Sequence, residues 1–219
     1  MTGTEGAPAD RPAAPGAEPL TPTIRAATGL EARAVRRTLP RARVVRTGMA
    51  LSRLPAGDVS LAGAVVACGL AGSLRAELPA GTVLVPRRVL RPDGRWLECD
   101  PALVESLAAA ARRLGHEPRL GPMATAETLV TGAARRAWAA RGCLGVARET
   151  GLLQVERVAT VRVVLDTPER ELHPAWRRPV TALWRPAAWA QLPWLALEAR
   201  RCARLAAGVL AAALSAGGR

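Results

Sequence analysis

The chain has 219 residues, enough to bury one substantial α/β core, and a formal net charge of +13 in which every one of the 31 basic residues is Arg. No run of about eighteen apolar residues is free of charge or proline, so no membrane-spanning helix is expected. With six Trp and neither Phe nor Tyr, the chain has few platforms for stacking nucleic-acid bases.

The absence of Lys, Asn, Phe and Tyr beside abundant Ala, Arg, Gly and Pro is the bias of a very GC-rich coding sequence. The Arg residues are scattered rather than gathered in one stripe. They read as a solvated basic surface, with an anionic ligand or membrane surface as the alternative and no nucleic-acid partner.

Residues 1–21 are rich in Pro, Ala, Gly and Thr, without apolar periodicity or a signal-peptide core. They are expected to be a disordered leader ahead of a single domain over 22–216. TIRAAT (23–28) predicts a short strand that turns at Gly29, and EARAVRRTL (31–39) a helix that stops before Pro40. RARVVRT (41–47) reads as a strand ending at Gly48. GAVVAC (63–68) is a continuous apolar run of strand length, the pattern of a strand covered on both faces. It is followed by Gly69 and Gly72, read as a tight turn. GTVLVPRRVL (81–90) predicts the next strand, closed by a PDG turn at 92–94.

CDPALVESLAAAARRLG predicts the clearest helix, with Asp100 as N-cap, Pro101 in the first position and Gly115 after the last turn. PRLGPMAT reads as a strand, TGAARRAWAARG as a helix stopped by Gly142, and CLGVARE as a short strand. VATVRVVLD (158–166) is the strongest strand signal, and 193–214 reads as a long amphipathic helix. The order predicts a three-layer α/β/α domain around a mixed, mostly parallel sheet. Cys68, Cys99, Cys143 and Cys202 form no CxxC and His116 and His173 stand alone, so neither a metal site nor a disulfide framework is indicated. A reducing cytoplasm suits that cysteine usage.

In such sheets ligands sit off the carboxyl ends of the strands, so functional chemistry is expected there. In TGLEAR, Gly29 and Arg33 flank a helix start, where backbone amides and a guanidinium fork suit an anion. In VACGLAGSL the spacing of Gly69 and Gly72 fits neither a dinucleotide fingerprint nor a P-loop. Glu149 and Asp166 end two consecutive core strands, a placement that lets two acids converge on one pocket.

These blocks, with VVRTGM, AETLVTGAARRAWAARGCLGVARET and VRVVLDTPE, occur in an order that resembles the nucleoside phosphorylase and nucleosidase superfamily over about residues 23–214. The LAG-L turn, ETLVT and VVLDTP-REL-PAW look closest to its hopanoid-associated branch, which is thought to remove adenine from adenosylhopane. The resemblance implies a phosphorylase/hydrolase-like fold and cleavage of the N-glycosidic bond of an adenine-type nucleoside with an apolar 5′ group. It implies that Asp166 holds or delivers a proton at purine N7 and that Glu149 binds ribose hydroxyls. Gly29 and Arg33 match phosphate-binding positions. Gly69 and Gly72 match the glycine segment beside base and sugar, Leu129 and Val130 the base-stacking wall, and Met49 a segment near the sugar. No cofactor is implied, and inorganic phosphate enters only as a co-substrate. A homo-oligomer is expected, because family members often borrow a residue from a neighbouring subunit. A peripheral membrane contact through the C-terminal helix is a further expectation.

The chain also departs from the family pattern. Arg148 stands where Met usually precedes the ribose-binding Glu, under the sugar and able to pair with Glu149. Leu70 replaces a turn Ser, Leu165 replaces a Ser before the catalytic acid, and the acid expected near the first strand is offset, with Ala32 there and Glu31 next to it. The span 31–63 is also short for the family, and that shortening together with Arg148 motivates a second reading, a nucleoside-binding module that keeps the fold without turnover.

Overall fold

The computed structural model of the protein describes residues 22–53, 60–177 and 184–216, and the expected leader lies outside them. Nine strands are described: β1 (Thr23–Ala26), β2 (Val44–Arg46), β3 (Ser60–Ser73), β4 (Val83–Leu84), β5 (Arg88–Leu90), β6 (Trp96–Glu98), β7 (Met123–Thr125), β8 (Gly145–Ala147) and β9 (Gln154–Asp166). The helices that matter here are α1 (Gly29–Thr38), α2 (Pro101–Arg113), α3 (Ala133–Ala140) and α4 (Leu192–Ala216). The strands form one mixed sheet in the order β2-β1-β3-β8-β7-β5-β6, with β9 on the other edge of β3 and β4 beyond β9. Parallel pairing joins β1 to β2 and β3, β3 to β9, and β7 to β5 and β8; the other pairs are antiparallel.

Helix α2 forms as its sequence predicts. The Asp100 side chain accepts from the Leu103 N–H at 3.0 Å, Pro101 occupies the first turn where its missing donor is harmless, and Gly115 leaves the helix at φ +80. Its apolar stripe of Val104, Leu107 and Ala111 packs into the main core with Cys202, Ala206 and Leu210 of α4. Trp138 and Ala139 of α3 cover a second cluster around Leu90, Ala124 and Val146. All four cysteines are buried free thiols, and burial pushes Cys68 up to about 12.

Three local expectations are corrected. Gly29 is not a turn; it is the first residue of α1, capped by Thr28. The 81–90 stretch is two strands, because Pro86 between them has no N–H to give to a ladder. Gly69 and Gly72 are not a turn either. They lie inside β3, which pairs with β9 from Ser60 to Gly72. No described helix is long and apolar enough to cross a membrane.

Candidate active site

Strand β3 is the axis of the site. One of its edges is filled by β9 along the whole ladder. The other edge pairs first with β1, at Val65 to Ala67, and then with β8, at Gly72 and Ser73. Between those partners the edge is open. A buried N–H in such a gap needs an acceptor. Glu31 supplies it: its Oε1 accepts from the Leu70 N–H at 2.8 Å.

Glu31 is held for that task by the start of α1. Thr28 and Glu31 form a reciprocal capping box, with the Glu31 N–H donating to Thr28 Oγ1 at 3.2 Å and the Thr28 N–H donating to Glu31 Oε2 at 2.7 Å. The Thr28 hydroxyl also donates to Oε2, at 2.9 Å. A carboxylate offers about four acceptor positions, so three bonds leave one for a ligand or water.

Two further acids complete the crevice. Glu149 follows β8 and is ion-paired to Arg162 at 3.2 Å. Arg162 lies at the centre of β9 yet is only 1% exposed. Its other donors reach Thr160 Oγ1 and Thr150 Oγ1, both at 3.1 Å, so the buried charge is satisfied. Burial raises the pKa of Glu149, Arg162 opposes that rise, and the charge of Glu31 adds to it. Asp166 ends β9 and is ion-paired to the buried Arg135 of α3, which also bonds Ser73 O and lies 3.2 Å from Glu171. Burial raises the Asp166 pKa against the pull of Arg135.

The glycines of β3 now have a physical reason. A Cβ at Gly69 would overlap Glu31 Oε1 and lie 3.1 Å from Arg162 Nη1. A Cβ at Gly72 would lie 3.1 and 3.2 Å from the two Asp166 oxygens. The bare backbone makes room for the acids themselves.

The crevice has a volume of about 180 Å³. Glu31, Glu149, Asp166, Gly72, Met49, Leu129, Val130 and Arg148 all line it. Leu70, Val146, Leu165, Leu172 and Trp176 make most of its remaining wall apolar. Gly69 sits behind Glu31 rather than on the wall. Arg148 does not pair with the Glu149 carboxylate through its side chain. Its guanidinium reaches Glu127 O at 2.8 Å and Met49 Sδ at 3.3 Å. Gly29 and Arg33 lie elsewhere, in a separate cleft between α1 and α4.

Arg135, Arg162 and Trp176 are not among the residues that the sequence points to, and Glu31 stands one position off the expected acid. The T-x-x-E spacing of Thr28 and Glu31 is a capping-box signal that points to Glu31. Arg162 stands between Val161 and the run Val163, Val164 and Leu165 of a strand with a core pattern, which marks a charge that needs a buried partner. Arg135 has no comparable signal beside Arg136. Besides Arg135 Nε, which lies 3.2 Å from Glu171, two polar atoms on the wall, Trp176 Nε1 and Arg148 Nε, are buried without a hydrogen-bond partner among the described residues. Both are donors facing the need for an acceptor.

No family model matches the chain, and no curated protein matches it in sequence. Solved structures do match in fold. A mutant of the Helicobacter pylori 5′-methylthioadenosine/S-adenosylhomocysteine nucleosidase, with 5′-methylthioadenosine in its active site, superposes at a TM-score of 0.66 with 13% identity over 91% of this chain and 100% of that one. Futalosine hydrolase of the same organism gives 0.64 and 13% over 89% and 97%. The S-adenosylhomocysteine nucleosidase of Streptococcus pyogenes, in complex with 5-methylthiotubericidin, gives 0.66 and 17% over 92% and 99%. The phosphorylase/hydrolase-like fold expected from the ordered sequence blocks is therefore the fold found. The hopanoid branch rests on the sequence blocks alone.

Proposed function

We propose that the chain hydrolyses the N-glycosidic bond of an adenine-type nucleoside that carries an apolar 5′ substituent. The observation that carries this reading is the convergence of Glu31, Glu149 and Asp166, all buried, on one apolar crevice at the carboxyl ends of β1, β8 and β9. The fold shared with nucleosidases supports it.

In this reading the bond between the sugar carbon and the base nitrogen breaks with its electron pair leaving on the base. Asp166, poised between burial and Arg135, holds the proton at purine N7 that makes the base a better leaving group. Glu149 orients the ribose hydroxyls as the sugar gains cation character. The free acceptor position of Glu31 holds the attacking water and draws its proton. Trp176 Nε1 offers the donor that a purine nitrogen or sugar oxygen accepts. The apolar wall stacks the base on Leu129 and Val130, and the 5′ group leaves the enclosed volume past Met49. A substituent as large as that of adenosylhopane is the extreme case.

Hydrolysis is preferred to phosphorolysis because Gly29 and Arg33, the expected phosphate ligands, do not line the crevice. A second reading, nucleoside binding without turnover, is favoured by one observation: Arg135 ties the Asp166 carboxylate down inside the fold. Incubating the protein with 5′-alkylthioadenosines, with and without phosphate, decides between them. Release of adenine without phosphate is expected, with a loss of at least about a hundredfold in Asp166→Asn. A folded protein that binds the nucleoside, releases no adenine under either condition and keeps its affinity in Asp166→Asn would establish the second reading.

A further inference from the structure

The cleft that took Gly29 and Arg33 away from the crevice has a character of its own. Arg33, Arg36 and Arg37 of α1, Arg46 of β2, and Arg200 and Arg204 of α4 line it, and no acidic residue does among the described residues. Its volume is about 870 Å³, within the range of ligand sites. Ala34 of α1 and Ala203 of α4, both small and buried, also line the cleft.

None of these six arginines makes an ion pair among the described residues. Arg36 donates to Val44 O at 3.1 Å. The nearest acids on the same helices are committed elsewhere: Glu31 to Thr28 and Leu70, and Glu198 to Arg201 at 2.6 Å. Arg46 is placed against its electrostatic interest. Its Nη1 lies 3.3 Å from where a Cβ on Gly29 would be, beside the first residue of α1. That is the positive end of the helix dipole, where an anion is favoured and a cation is not. An anion between Arg46 and the helix start reconciles the two.

We propose that this cleft binds a ligand with several linked phosphate groups, either as a free polyphosphate or as a phosphorylated lipid headgroup. Six guanidinium groups exceed what one orthophosphate neutralises, and each offers the planar fork that matches phosphate oxygens. The concave shape suits a compact polyanion better than a flat surface. The lipid source has local support, because Leu197 is 73% exposed and shares its helix face with Arg200 and Arg204 by spacing. The cleft shares no lining residue with the crevice, so this proposal is independent of the nucleosidase reading.

Calorimetry of the full-length protein with inorganic tripolyphosphate at about 150 mM salt tests the free source. Co-sedimentation with phosphatidylcholine vesicles, with and without a bisphosphorylated inositol lipid, tests the headgroup. Saturable binding in either arm supports the proposal and identifies the source. The exposed pairs Arg200→Gln/Arg204→Gln and Arg33→Gln/Arg37→Gln should each weaken it by more than about tenfold. A control pair away from the cleft, Arg112→Gln/Arg136→Gln, should leave it within about twofold. No saturable binding in either arm would overturn the proposal. So would an equal loss in the control pair, since overall charge alone would then account for the binding.

Discussion

Helix α1 has two sides, and they treat charge in opposite ways. On one side Glu31 is 3% exposed and bonded to three donors, and its neighbours Glu149 and Asp166 are each held by a buried arginine. On the other side Arg33, Arg36 and Arg37 are exposed and have no carboxylate within reach among the described residues. The difference teaches that burial makes a partner obligatory, whereas exposure leaves it optional. A buried charge without a partner costs several kcal/mol, so every acid of the crevice has been supplied with one. An exposed guanidinium is stabilised by water and salt, so six can share a cleft and await a ligand.

The sharpest way to break this contrast is to remove a buried partner. Arg162→Met should leave the Glu149 carboxylate buried and unpaired, and should destabilise the fold by about 3–5 kcal/mol. The double variant Arg162→Met/Glu149→Gln should recover much of that loss, since the orphaned charge is gone. Denaturant midpoints of the four proteins in the cycle measure both effects. A cost of about 1 kcal/mol or less for the single variant would mean that Glu149 does not depend on Arg162.

Smaller, and more local, is the test of the glycines. Gly69→Ala forces a methyl group into Glu31 Oε1 and should cost about 1–3 kcal/mol as an overpacked site. In a Glu31→Ala background the same change should cost far less, because the obstacle has been removed. Gly72→Ala meets Asp166 oxygens at 3.1 and 3.2 Å, which a few tenths of an ångström relieve, so its cost to stability should be the lesser of the two. If Gly69 were bare only for a ligand, the unliganded protein would tolerate Gly69→Ala in either background.

The acids also make the crevice side sensitive to pH. Burial raises Glu149 and Asp166 above their unfolded values, so the folded state keeps their protons to higher pH. Their contribution to stability is complete below the ordinary carboxylate range, about pH 4, and is lost as pH rises through the raised values. Glu149→Gln cannot ionise there and should escape its share of that loss. Denaturation midpoints taken from about pH 4 to about pH 8 should therefore fall further for the unmodified protein than for the variant. Parallel pH profiles would remove Glu149 from the account.

The fold was legible from the sequence because its elements are long or well punctuated. Asp100, Pro101 and Gly115 delimit α2, and the β-branched run at 158–166 delimits the core of β9. The site was legible in part, since Glu149 and Asp166 stand at strand ends where a layered sheet places ligands. What could not be read was pairing across the chain. Whether Arg135 or Arg136 turns inward depends on where Asp166 and Glu171 fall, more than thirty residues away. Gly69 and Gly72 carry a local turn signal, and only the neighbouring Glu31 and Asp166 side chains explain why the strand continues through them. In a chain with 31 Arg residues, a structural guanidinium looks like any other until its partner is known.

The smallest expected effect lies on the arginine side, and its sign is the informative part. Arg37 makes no ion pair among the described residues and stands among five other cations. Arg37 lies in the last turn of α1, so Arg37→Gln gives up a few tenths of a kcal/mol of helix-dipole attraction and relieves the like-charge repulsion of five neighbouring cations. The variant should be as stable as the unmodified protein or slightly more so, by no more than about 0.5 kcal/mol. The gain should be largest at low salt and should fade as the ionic strength rises and the Debye length shrinks to about 10 Å or less. Chemical denaturation at two salt concentrations measures it. A destabilised variant would mean that Arg37 has a structural partner, and the two sides of α1 would then follow one rule of charge pairing instead of two.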